Sequence, residues 1–343
     1  DGGLDPTMVI GGKLAGVGSN AKLGDGEIIV AEADESDGSF LKLNPTIAVI
    51  TNIDREHLDF YEGIDDIKEA FLKFANMVPF YGSTILCSDD SHVREILPEI
   101  KRATVTYGFS DNSDYRAIDV SSSGLSSHYK LYRRGDLMGD ISLGVPGLFN
   151  VYNSMAAVAV ALELDMDFST IQRGIRTFTG VHRRLEVKGI RGGVTVVDDY
   201  GHHPTEIRAT LEAARKAWSG RMIVVFQPHR YTRTRDLFDD FLDVFDAADC
   251  TIITDIYAAS EKEIEGIHSA RLCDGIRGHG NDTVIHISSF DDIVDHLRSF
   301  AQPGDFIITL GAGNIWKVGE TFLGKERPGT DSLRGKVKAG EAP

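Results

Sequence analysis

Cysteine is scarce in this 343-residue chain: Cys87, Cys250 and Cys273 lie far apart and outside any Cys-x-x-Cys spacing. An odd, dispersed set excludes a disulfide framework and a zinc knuckle, and makes a reducing compartment, the cytoplasm, the natural setting. Positive charge is also in deficit, with 36 Lys and Arg against 52 Asp and Glu and a formal net charge of −16. Such a surface has no general attraction for nucleic acid or anionic lipid, so neither is expected as a partner, and an anionic substrate must be gripped by a few placed cations. No apolar run approaches the roughly 18 residues of a membrane span. Nor does a basic segment followed by an apolar stretch open the chain, which starts on Asp1; the native start is expected upstream. Finally, GxxxxGK[ST], the backbone-lined cradle for nucleotide phosphates, occurs nowhere.

What is present reads as an ordinary globular composition, 42% apolar and 26% charged, at a length comfortable for two domains. From Gly26 the pattern gives a strand at 28–30, a second at 47–50, then Ile64, Ile67, Phe71 and Phe74 at the spacing of an amphipathic helix. Residues 85–86 and 105–107 read as further strands, and 115–145 alternate polar and apolar across Gly124, Gly135 and Gly144, as antiparallel strands with tight turns do. A helix over 150–164 closes this part. After Gly180, five apolar runs at 194–197, 223–226, 251–254, 284–287 and 306–310 alternate with helical stretches such as 204–218 and 291–300. That is the rhythm of a parallel, doubly wound sheet. The expected class is therefore α/β: a mixed-sheet central domain over 1–178, truncated on its N-terminal side, a Rossmann-like doubly wound domain over 179–323, and a flexible tail over 324–343.

Ligands of open parallel sheets gather at the carboxyl ends of the strands, so the segments after each apolar run are the ones to inspect. Glu32 leaves the first run as a carboxylate suited to a hard divalent cation, although a solvated acidic loop is the plainer reading. His57 follows the next run, so the two are expected at adjacent strand ends within reach of one cation. An imidazole suits Mn²⁺ or Zn²⁺ better than Mg²⁺, and a surface histidine is the default. Asn150 and Asn153 each offer a donor and an acceptor side by side, which complements an adenine edge, or they form an N-cap and its neighbour. Asp199, Tyr200 and His202 follow the run at 194–197, and His229, Arg230 and Arg233 follow the run at 223–226. The last group concentrates cations in an acidic protein, and either arginine could bind a carboxylate or phosphate through paired hydrogen bonds; solvated arginines are the alternative. Gly311 and Gly313 permit close backbone approach, by themselves a weak sign of a nucleotide site.

Taken together, AEADESDGSFLKL at 31–43, TNIDREHLDFY at 51–61, PGLFNVYNSMAAVAVA at 146–161, GVHRRLEV at 180–187, DDYGHHPTEI at 198–207, FQPHRYTRTRDLFDDF at 226–241 and LGAGNI at 310–315 resemble the Mur ligase family. The likeness is to the branch that joins L-alanine to UDP-N-acetylmuramate in peptidoglycan precursor synthesis. It implies an ATP-dependent ligation: ATP phosphorylates the muramic acid carboxylate, the amine of L-alanine attacks the acyl phosphate, and phosphate leaves. It further implies Glu32 and His57 as ligands of Mg²⁺ or Mn²⁺, Asn150 and Asn153 as adenine contacts, and Arg184 as an arginine on the nucleotide. Asp199, Tyr200 and His202 match the loop facing ATP and the amino acid, with Asp199 and His202 the expected catalytic groups, and His229, Arg230 and Arg233 match the grip on the alanine carboxylate. The family's phosphate loop and UDP-binding domain belong upstream of a segment like 1–12, so the chain alone is expected to be inactive. Three other readings stay open, one of them a degenerate binding module descended from the ligase, which would fit the missing loop. A sister ligase attaching a recycled tripeptide is disfavoured by QPHRYTRTRD at 227–236, and a non-catalytic Rossmann module is disfavoured because LGAGNI follows the last strand rather than the first.

Overall fold

The computed structural model describes residues 1–11, 19–58, 60–123 and 126–324. The tail expected over 324–343 lies, beyond Gly324, outside the described residues, as does the turn expected at Gly124. The chain divides into two compact units, one formed by 1–186, 203–219 and 232–240, the other by 187–202, 220–231 and 241 onward. This division runs differently from a single cut at 178/179, since two later stretches join the first unit.

In the first unit β1 (Thr7–Val9), β2 (Ala21–Lys22) and β3 (Ile29–Ala31) form a small sheet of order β2-β1-β3. Next come β4 (Ile47–Ile50), α1 (Ile64–Met77), β5 (Ser83–Cys87), α2 (Ser91–Ile96), β6 (Ala103–Gly108) and β7 (Tyr115–Ser123). They are followed by β8 (Ser126–Arg133), β9 (Asp136–Leu143), α3 (Leu148–Glu163) and α4 (Phe168–Thr177). Strands β4 to β9 make one six-stranded sheet in chain order, parallel from β4 to β7 and antiparallel from β7 to β9. Because side chains alternate across a strand, Leu86 joins Ile67, Phe74 and Phe40 on the α1 face while its neighbour Ile85 joins Val151, Met155 and Val158 on the α3 face. Helix α1 starts with Asp65 and Asp66 at its positive end, which favours it electrostatically.

The chain continues through β10 (Glu186–Arg191), β11 (Val194–Asp199), α5 (Pro204–Ala217), β12 (Met222–Phe226), α6 (Tyr231–Asp236) and β13 (Cys250–Ile253). It ends with α7 (Ser269–Gly278), β14 (Val284–His286), α8 (Phe290–Phe300), β15 (Phe306–Leu310) and α9 (Trp316–Leu323). The sheet order is β10-β11-β15-β12-β13-β14, and every pairing from β11 to β14 is parallel. The five expected runs are its five parallel strands. Strand β10 was not expected: it reaches β11 through Gly192 and Gly193, both in the left-handed region at φ 58° and 77°, where glycine turns the chain without strain. One face of the sheet packs Val196, Ile252 and Ile307 against Ile293 and Leu297 of α8 and Val318 and Phe322 of α9. At the amino end, Arg221 donates to both carboxylate oxygens of Asp305 at 3.2 and 2.7 Å and lies 4.4 Å over the Phe300 ring.

The three cysteines are buried and unbridged; burial pushes the Cys273 thiol up to about 12. Among the described residues no helix is long and apolar enough to cross a membrane.

Candidate functional site

In the first unit the acidic segment and the histidine loop do meet, but not through the expected pair. Strands β3 and β4 belong to different sheets, so Glu32 and His57 do not sit at adjacent strand ends. The backbone explains this: Glu32 N–H donates to Val9 O at 2.8 Å, continuing the β1–β3 ladder and carrying Glu32 with the small sheet. Its side chain accepts from Gly11 N–H. His57 instead meets Glu35, with Nε2 3.3 Å from Oε1, while Glu56 Oε2 stands 4.0 Å away. The Tyr61 hydroxyl donates to Glu35 O at 2.7 Å and pins the acidic loop there. His57 itself is held at φ 56°, a conformation that costs a non-glycine residue energy. Burial opposes charge on its imidazole, but the hydrogen bond to Glu35 and the carboxylates of Glu56 and Glu35 prevail over it and over the opposing Arg233, so His57 titrates above its ordinary value.

Glu35, Asn52, Asp54, Glu56, His57 and Tyr61 line a cavity of about 50 Å³. Carboxylates with one imidazole are a reasonable donor set for a divalent cation. Among the described residues, however, no three His, Cys, Asp or Glu side chains are arranged to hold one. A cation here would draw its other ligands from phosphate oxygens and water, as Mg²⁺ does when protein supplies only one or two carboxylates.

Arg233 also belongs to this unit, and its Nη2 lies 2.7 Å from Glu56 Oε1, with side chains 12% and 26% exposed. Its expected companion Arg230 belongs to the second unit. Beside Glu56, Asp54 accepts from Thr205 Oγ1 at 2.6 Å. His203 caps α5: its ring accepts from Thr205 N–H, and Glu206 accepts from His203 N–H. Arg184, expected on the nucleotide, places Nη1 3.2 Å from Glu206 Oε1. Asn150 is not a cap, because α3 begins at Leu148 with Gly147 before it; its amide donates to Pro146 O at 2.6 Å, and Asn153 lies exposed one turn on. Sequence reading missed Glu35, Asp54 and Glu56, although all three stand inside the segments it singled out.

In the second unit the candidates converge at the carboxyl ends of β11, β12, β13 and β15. Asp198 and Asp199 close β11 and are buried; the first accepts from Thr309 Oγ1 at 2.6 Å and the second from Gly201 N–H at 2.8 Å. Four rings then follow one another. Tyr200 meets His202 edge-on at 5.4 Å, His202 lies 5.7 Å from His229, and His229 stacks on Tyr257 at 5.5 Å with planes 13° apart. Gln227 Oε1 accepts from Asn314 N–H at 3.1 Å, tying the end of β12 to that of β15. The glycine loop does permit close approach, and the approaching groups are the protein's own. A Cβ on Gly313 would lie 2.4 Å from Gln227 Oε1 and 2.9 Å from Tyr257 Cγ. Arg230 turns the chain at φ 72° just after His229. Imidazoles are able to accept or relay a proton, and an arginine next to them can hold an anion.

Comparison with known proteins identifies the family of the chain. Residues 18–161 match the Mur ligase middle domain and residues 183–313 match the Mur ligase glutamate ligase domain. UDP-N-acetylmuramate–L-alanine ligase of Syntrophus aciditrophicus (strain SB) is 62% identical over 331 residues, covering 96% of this chain and 69% of that protein. The ligase of the same name from Geotalea uraniireducens (strain Rf4) is 53% identical over 324 residues, covering 94% of this chain and 71% of its own length. Among solved structures, UDP-N-acetylmuramate-alanine ligase MurC from Thermotoga maritima superposes with a TM-score of 0.77 at 24% identity over 94% of this chain and 69% of that one. With family models falling on both parts of the chain and relatives this close over nearly all of it, the chain belongs to the Mur ligase family.

Proposed function

We propose that the full-length protein joins L-alanine to the carboxylate of UDP-N-acetylmuramate with cleavage of ATP, in the cytoplasm, as a step of peptidoglycan precursor synthesis. The observation that carries this reading is the 62% identity, across 96% of the chain, to a ligase of that name. The motif after β12 supports L-alanine over a larger amine donor.

The chemistry asks mainly for positioning and charge neutralisation. The substrate carboxylate attacks the terminal phosphorus of ATP, giving an acyl phosphate and ADP. The alanine amine then adds to the acyl carbon, loses a proton, and phosphate departs. His57 with Glu35 and Glu56, and Glu32 from the small sheet, are the residues that would hold Mg²⁺ or Mn²⁺, which when bound neutralises phosphate charge. Asn150, Asn153 and Arg184 are assigned to the nucleotide. Asp199, Tyr200 and His202 are assigned to ATP and the amine, with the His202 imidazole the group to accept the amine proton. His229, Arg230 and Arg233 are assigned to the alanine carboxylate. The phosphate cradle, absent from these 343 residues, is assigned to the part of the family enzymes that the chain, at 69% of the relative's length, does not span.

Phosphate release that requires ATP, UDP-N-acetylmuramate and L-alanine together tests the proposal. The full-length protein should turn over with L-alanine and not with a tripeptide in its place, and the 343-residue chain alone should not turn over. Preference of the full-length protein for the tripeptide would overturn the assignment.

A further inference from the structure

Tyr257 follows β13, a strand end that no motif marked, yet it touches two of the loops assigned to the site. Its backbone holds the loop after β12 from both sides: Tyr257 N–H donates to Pro228 O at 2.8 Å, and Tyr257 O accepts from Arg230 N–H at 2.8 Å. Between these two bonds His229 and Tyr257 form a parallel bridge, so β12 and β13 pair again beyond their regular ends. The second bond falls on Arg230, the residue that turns the chain through a left-handed conformation. The ring of Tyr257 then lies nearly parallel to that of His229, at 5.5 Å and 13°, within the offset-stacking range of aromatic pairs. The loop after β15 closes on the same ring, because Gly313 leaves only 2.9 Å between a would-be Cβ and Tyr257 Cγ. Two backbone bonds fix the main chain of Tyr257, the glycine loop limits its half-exposed ring on one side, and the ring so placed sets the plane of the imidazole stacked against it.

We infer that Tyr257 is a positioning residue for the amino-acid site: it fixes the plane of His229 and the start of the Arg230 turn, and so tightens binding of the small amino acid that these residues face. The inference rests on the reading of His229 and Arg230 as the grip on the alanine carboxylate. The stacked face performs this task and the hydroxyl does not, which separates Tyr257 from a proton-transfer residue. An aromatic pair of this kind changes an equilibrium by about two- to tenfold.

The test uses the full-length protein. Tyr257→Leu should raise the KM for L-alanine about two- to tenfold while leaving the KM for ATP and the thermal midpoint close to wild type, and Tyr257→Phe, which keeps the ring, should restore the KM. A Leu variant with unchanged KM for L-alanine, or a Phe variant as impaired as the Leu variant, overturns the inference. His229→Ala in the same assay separates the two readings: if it leaves the KM for L-alanine unchanged, the assignment of the amino-acid site fails, and if it raises KM while Tyr257→Leu does not, only the positioning role fails. A measurement on the wild type needs no variant to fold. The His229 ring protons should carry a ring-current shift from the Tyr257 ring stacked 5.5 Å away, and resonances at ordinary histidine positions contradict the stack in solution.

Discussion

Replacing Arg233 with alanine separates two tasks that fall on one guanidinium. Arg233 donates to Glu56 at 2.7 Å in a partly buried pair, and we assign it to the carboxylate of L-alanine. Charge-assisted hydrogen bonds of this sort are worth about 1.5 to 3 kcal/mol when shielded from water and about 0 to 1 kcal/mol when fully exposed. At 12% and 26% exposure the Glu56 pair sits toward the shielded end. A substrate carboxylate offers the same chemistry, so it competes with Glu56 for the same donor. Loss of a bond worth 1.5 kcal/mol or more corresponds to about tenfold or greater in KM. In the full-length protein Arg233→Ala should therefore raise the KM for L-alanine about tenfold or more with the KM for ATP nearly unchanged, while Glu56→Gln, which removes the rival carboxylate and also a carboxylate of the cation site, should lower kcat without raising the KM for L-alanine. Lysine at 233 should rescue only in part, because an ammonium keeps the charge without the planar fork. The assay is phosphate release with L-alanine varied at saturating ATP and UDP-N-acetylmuramate. The reasoning is refuted if both variants raise KM by the same factor and the double variant is no worse than either. The pair is then scaffold, and the alanine site lies elsewhere. An equal rise in the KM for ATP would move Arg233 to the phosphates.

Two further outcomes follow from charges already described. The His57 imidazole, titrated by NMR, should show a pKa above the ordinary 6.5, and Glu35→Gln should bring it down. Since the folded value is raised, the pair's contribution to stability is present below 6.5 for as long as Glu35 stays ionised and is lost as pH rises through the folded value, so Glu35→Gln should cost stability at mildly acidic pH and little above that window. An unmoved titration would show that Glu35 is not the partner in solution. In the second unit, Arg221→Ala leaves the Asp305 carboxylate, 7% exposed, without its cation. Urea unfolding should register a loss of about 2 to 3 kcal/mol, with Asp305→Ala adding little on top; a loss below about 0.5 kcal/mol would mean the pair behaves as an ordinary surface contact.

The parallel sheet of the second unit was legible in the sequence because a strand covered on both faces reads as an unbroken apolar run, and Phe306–Leu310 was located to the residue. Strand β10 was missed for the opposite reason: Glu186–Arg191 is half exposed, interrupted by Gly189, and carries no run to detect. In the small sheet the run at 28–30 marked the strand found at Ile29–Ala31, one residue on, but nothing marked Thr7–Val9 or Ala21–Lys22, whose few residues bury too little to leave a pattern. The site was legible as segments and not as contacts. The acidic loop and the His57 loop do come together, yet the carboxylate that reaches His57 is Glu35, because register in the small sheet commits Glu32 to the β1 ladder. Such register is set by pairing between distant strands, which a single sequence does not display. Tyr257 escaped notice because Asp255, Ile256 and Tyr257 form an unremarkable string, even though they follow an apolar run as the marked segments do.

Strand β15, the last of the described strands along the chain, is seated between β11 and β12, and among the described residues no other strand bridges those two. A growing chain therefore carries β10–β11 on one side and β12–β13–β14 on the other, with no ladder between them. The bond from Thr309 to Asp198 spans 111 positions of sequence. Until residue 310 leaves the ribosome, two apolar strand edges stand open, each a template for pairing with another molecule. Closure of this sheet must await β15, its rate limited by the search for a long-range partner, and a chain cut before Phe306 would be prone to aggregate, with every loop of the second-unit site but one already made.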